Sequence, residues 1–178
     1  MKASSNLLVE QVGGPSVRPY QPSGLWKDKG AATYVQGTGD DLHRRSLYTF
    51  WRRSLGPPNM FDEANRQVCN VRLRRTNTPL HALTLLNDIT FVEAARVFAE
   101  RILSSHETPG DRLATAFRMT TSRPPGEAEL AILLRALERS RAYYHENPAA
   151  ADKFRSSGEY PIADGLEAVD VAAYGNVL

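Results

Sequence analysis

The sequence predicts an all-α protein, a helical domain of about five to seven helices with a coil-rich Pro/Gly arm at its N-terminus. Three observations carry that expectation. Apolar residues recur at helical spacing through most of residues 79–146. Two threonine-proline pairs, Thr78-Pro79 and Thr108-Pro109, supply the capping and first-turn residues that start helices. Residues 13–39 concentrate proline and glycine, which disfavour regular elements.

The arm, residues 1–39, is expected to be extended and to belong to the same domain as the helical part, residues 40–178. Tyr20, Leu25, Trp26 and Tyr34 are spaced through it, either as anchors seated in grooves or as the packed side chains of a surface loop. Asp40 or Asp41 then caps a helix that reaches about Leu55, with Leu47, Tyr48, Trp51 and Leu55 on one face and Arg45 and Arg52 along its flank. Gly56-Pro57-Pro58 ends it, because paired prolines cannot continue the hydrogen-bond ladder. A shorter helix is expected from Asp62 to Val68, and Val71 to Arg75 alternates in polarity like a short extended stretch.

After the Thr78 cap, LHALTLL is apolar nearly all round, the pattern of a central buried helix. Asn87-Asp88 breaks that run, and Asp88 opens a helix carrying Phe91, Val92, Ala95, Phe98 and Ile102 inward with Glu93, Arg96 and Glu100 toward water. Thr108 and Asp111 stand at the spacing of a helix start before Leu113 and Phe117. A further helix follows Arg123-Pro124-Pro125, with Leu130, Leu133, Leu134, Leu137 and Tyr144 on one face and Glu138, Arg139 and Arg141 exposed. Beyond Asn147-Pro148 the chain reads as irregular to about Gly165, and residues 166–178 as a last helix.

Net charge is +2 over the 178 residues, but it is unevenly spread. The first 78 residues hold 12 Lys+Arg against 6 Asp+Glu, and the remaining 100 hold 10 against 14. Either an anionic partner or docking of the basic half onto acidic groups of the other half or of another domain accounts for that. Cys69 is the single cysteine, which excludes an intrachain disulfide and a cysteine-based zinc or covalent haem site built by this chain alone. It reads as a small buried apolar side chain; a nucleophilic role would need Arg66 and Arg72 to lower its pKa and His43 or His81 as a base. No stretch approaches the roughly 18 apolar residues of a membrane span. The opening MKASSNLLVEQVGG lacks the apolar core and small-residue cleavage site of a signal peptide.

Catalytic patterns are missing as well. The four histidines, His43, His81, His106 and His145, have no metal-ligand spacing on one helix. Asp40-Asp41 and Asp62-Glu63 read as helix-start residues rather than as a glycosidase pair, and no nucleophile-elbow motif occurs. The candidate binding set is polar: Arg44, Arg45, Asn65, Arg66, Arg72, Arg74, Arg75, Asn77 and Asn87. Guanidinium forks and asparagine amides suit carbohydrate or anionic ligands, and they equally suit tying the arm and the helix ends together through backbone carbonyls. The aromatics beside these arginines, Tyr48, Phe50 and Trp51, fall on a helix's apolar face, which disfavours nucleic acid.

Five blocks carry a family resemblance: GGPSVRPYQPSGLW, YVQ at Tyr34 to Gln36, RRSLYTFWRR, FDEANRQVC and RRTNTPLHALTLLND, in order over residues 13–88. FVEAARVFAERIL and AFRMTTSRPPGEAEL extend the match to about residue 140. The chain resembles the C-terminal domain of unknown function numbered fifteen fifty-three, found in large planctomycete and verrucomicrobial proteins downstream of c-type cytochrome domains. The resemblance implies an exported, periplasmic or cell-envelope setting, haem c in an upstream domain rather than here, and a chain truncated at both ends relative to the family. The function expected is a noncatalytic helical module of a larger protein, docking an upstream domain or an envelope partner through an arginine-rich surface. The alternative is part of an envelope enzyme or binding protein that acts on carbohydrate or serves electron transfer with a c-type cytochrome domain.

Overall fold

The structure is a computed structural model that describes residues 2–21, 33–50, 71 and 78–178. Those residues form six α-helices and no sheet: α1 (Pro79–Asn87), α2 (Ile89–Ser105), α3 (Pro109–Thr121), α4 (Glu127–Glu146), α5 (Pro148–Arg155) and α6 (Ala168–Val177). The expected all-α class with a coil-rich N-terminal region is therefore observed. The chain divides into two compact units, one of Met1–Leu8 with Ile89–Leu178, the other of Val9–Asp88.

In the helical unit, α6 packs against α2, α4 and α5, while α3 packs against α2 and α4. Its residues explain that central position. Ala172, Ala173 and Gly175 are fully or nearly buried and small enough to let neighbouring helices approach. At Gly175 an added Cβ would lie 2.4 Å from Cζ of Phe154, so only glycine leaves room for the α5 ring. The core gathers Ala99 and Leu103 of α2, Leu113 of α3, Leu137 of α4, and Val171 and Tyr174 of α6. Leu7 packs with Ala94 and Val97 in a separate small cluster.

Local signals set the helix ends. Thr78 and Thr108 each accept a hydrogen bond from the backbone N–H three residues on, and each is followed by proline at the first turn. At the start of α4, Glu129 accepts from the Gly126 N–H at 2.8 Å and from both terminal nitrogens of Arg123 at 2.8 and 2.6 Å. The Arg123 hydrogen bond, then the Gly126 one, holds the Glu129 carboxyl down at about 2. A carboxyl depressed by folding contributes stability above its unfolded value and loses it as pH falls through the folded one. Protection of the first turn of α4 is expected to be full above the ordinary carboxyl value of 4.5 and to be lost progressively as pH falls from there to about 2, and Glu129→Gln to remove that dependence in amide-exchange measurements.

Four expectations are corrected. No helix runs from Asp40 through the last described residue of that segment, Phe50; 3-10 turns at Gly39–Leu42 and Ser46–Tyr48 stand there instead. The carbonyls of His43 and Tyr48, which a helix would use in its own ladder, accept from Val9 and Val17 of the arm, and Phe50 N–H donates to Val17 O. Leu47 is accordingly exposed. Residues 148–155 are helical, because Pro148 sits at a first-turn position where its missing N–H costs nothing. Three leucines of α1 are not buried: Leu83, Leu85 and Leu86 are 57%, 42% and 70% exposed. An all-round apolar run shows that a helix wants cover without showing where the cover comes from. Finally, Glu93, Arg96 and Glu100 are buried, under a backbone segment far away in sequence. The expected helix at 62–68 and extended stretch at 71–75, apart from Val71 itself, lie outside the described residues, as do Leu25, Trp26, Trp51, Arg52, Leu55 and Cys69.

Candidate functional site

Arg44 is the best-defined member of the expected polar set. Its backbone bridges to Val9, which brings the arm across it. The guanidinium then donates from Nη2 to Gln11 O at 2.9 Å and Gly13 O at 2.6 Å, and from Nη1 to Pro15 O at 3.5 Å. It lies 4.1 Å from the centre of the Tyr48 ring, whose hydroxyl accepts from Gly13 N–H. Gly13 and Gly14 have φ of +79° and +86°, a left-handed turn that glycine tolerates and that delivers three carbonyls to one cation. Arg44 and Tyr48 thus grip the turn from two sides, and the arginine is buried in doing so.

A second clamp of the same kind lies further along the arm. Arg18 stands over the Phe50 ring at 5.3 Å, and its carbonyl accepts from Gly37 N–H. The Tyr34 hydroxyl donates to Pro19 O, and partial burial pushes its phenol up, against the opposing pull of Arg18.

The other described members behave differently. Arg45 is exposed. Asn87 donates from Nδ2 to Leu83 O at 2.8 Å, inside its own helix. Arg44 and Asn87 therefore share no hydrogen-bond acceptor. Asn65, Arg66, Arg72, Arg74, Arg75 and Asn77 lie outside the described residues. Among the described residues, no group of three or more His, Cys, Asp or Glu is placed to hold a metal ion. No described helix is long and apolar enough to cross a membrane.

Comparison with known families settles kinship. The model of a protein family of unknown function, DUF1553 (PSD1), matches residues 1–137. The chain belongs to the DUF1553 family. The match takes in the whole Val9–Asp88 unit and ends within α4. No curated protein and no solved structure matches the chain.

A polar network on α2 with many partners among the described residues of this DUF1553 chain escaped the sequence reading. Arg96 is fully buried; it donates to Glu100 Oε1 at 2.8 Å, Ser157 O at 3.1 Å, Tyr160 O at 2.6 Å and Pro161 O at 3.5 Å. Glu93 Oε1 accepts from Tyr160 N–H at 2.8 Å. One guanidinium and one carboxylate therefore fasten the segment between α5 and α6 onto α2. The signal was present as an acid-base-acid line at spacings of three and four residues, which reads as a solvated helix face when nothing says what covers it. Tyr174 is also flanked by cations, Arg112 at 5.8 Å and Arg141 at 5.5 Å from its ring centre. Arg141, expected to be exposed, is half-buried and pairs with Asp170 at 2.8 Å.

Proposed function

We propose that this chain is a docking module of a larger exported protein, and that its Val9–Asp88 unit binds a neighbouring domain of the same polypeptide or an envelope partner. The observation that carries the reading is the exposure of Leu83 and Leu86, three residues apart on one face of α1. Fully burying a leucine is worth about 1.5–3 kcal/mol, so a pair left in water favours association with an apolar surface. The excess of Lys+Arg over Asp+Glu in the first 78 residues favours a partner that carries acidic groups around that surface.

Arg44 supports the docking role over a ligand role, because its terminal nitrogens are committed to the arm's own carbonyls. A covalent haem c needs a pair of cysteines and the chain holds one, so any such haem belongs to another domain. The family resemblance supports the cell-envelope setting.

Calorimetric titration of the chain with the adjoining domain of the full-length polypeptide tests the proposal. Replacing Leu83 and Leu86 by serine is expected to weaken binding at least about tenfold, with little change in the melting temperature because both side chains are exposed. Equal affinity of the double variant and the parent overturns it.

A further inference from the structure

We infer that the groove between α4 and α6 is a binding site for a small ring-bearing carboxylate. The groove has a volume of about 430 Å³, the scale of a small-molecule site. Leu133 and Ala136 of α4 and Val177 of α6 form its apolar wall. Its polar pair is built across the two helices: Asn176 Nδ2 donates to Oγ of the nearly buried Ser140 at 3.0 Å. That bond fixes the amide and leaves its Oδ1 as an acceptor and the serine hydroxyl hydrogen as a donor, a combination that recognises hydroxyl or carboxyl oxygens.

Two further lining residues define the ligand. Tyr143 is 55% exposed, and its ring is held edge-on by Tyr144 with centroids 5.2 Å apart. A half-exposed ring oriented by a neighbour offers a flat face to another ring. Arg139 lines the same groove and makes no ion pair or side-chain hydrogen bond among the described residues. Arg141 is committed to Asp170, and Arg123 to Glu129. Arg139 therefore keeps its fork available, and a planar carboxylate is the anion that fits a fork in two parallel hydrogen bonds. An apolar wall, a ring platform, a polar pair and an uncommitted guanidinium together describe a ring carrying a carboxylate. A sugar acid and an aromatic acid share that chemistry.

The site lies in the helical unit, so its test is independent of the docking surface. The probes are galacturonate and benzoate, with galactose and benzyl alcohol as their uncharged counterparts, followed through the Asn176 side-chain amide by NMR. At least one acid is expected to shift that amide and to bind about tenfold more tightly than its counterpart. Arg139→Gln removes that preference, and Arg135→Gln on the same helix keeps it. Preference for galacturonate assigns a sugar acid, and preference for benzoate an aromatic acid. The inference is overturned if neither acid moves the Asn176 amide, if acid and neutral probe bind alike, or if Arg135→Gln removes the preference as fully as Arg139→Gln.

Discussion

Replacing Arg96 by methionine is expected to destabilise the helical unit by about 3–5 kcal/mol, the usual cost of removing one partner from a buried ionic network. The loss has two parts. Glu100, buried and 2.8 Å from Arg96, is left without its cation. The carbonyls of Ser157, Tyr160 and Pro161 lose the guanidinium that satisfies them. Lysine at this position keeps the charge but cannot reproduce the fork, so Arg96→Lys should fall between parent and methionine variant. Urea unfolding gives the magnitude, and exchange of the Tyr160 amide, bonded to Glu93, gives the location. A loss below about 1 kcal/mol would mean that the network is not what holds the segment.

The second large effect is expected at Gly158, where alanine should cost about 2–5 kcal/mol. Its φ of +85° already disfavours a side chain. An added Cβ would also fall 2.2 Å from Oε1 and 2.3 Å from Cδ of Glu93. Glu93 is completely buried and bonded to Tyr160, so it has little freedom to withdraw. Gly110, in the first turn of α3, is the control: its Cβ would meet nothing within 4 Å. Gly110→Ala should be neutral or stabilising by up to about 1 kcal/mol. Similar losses at both positions would show that the contact with Glu93 is unimportant.

Most features that depend on residues within one helical turn were legible in the sequence, the helix started by Pro148 being the exception. Thr78 and Thr108 cap as expected because the N–H groups that they bond lie three residues ahead. The inward positions of Phe98, Ile102, Leu113 and Leu137 followed from helical periodicity. The other features that were misread depend on distant chain. Residues 40–50 have helical spacing, yet the arm at Val9 and Val17 takes over their backbone hydrogen bonds. Glu93, Arg96 and Glu100 look like a wetted face, yet residues 157–161 cover them. Arg44 illustrates the same limit in the candidate site: an arginine's appetite for oxygens is legible, but its choice of Gln11, Gly13 and Pro15 is set by a glycine turn about 30 residues earlier.

Docking through α1 is tested most directly by hydrogen-deuterium exchange of the chain alone and with the adjoining domain of the full-length polypeptide. The predicted result is new protection in Pro79–Asn87 and neighbouring peptides of the Val9–Asp88 unit, lost when Leu83 and Leu86 are serine. Protection confined to α3–α6, or unchanged exchange throughout at concentrations where the two proteins are seen to bind, would contradict it.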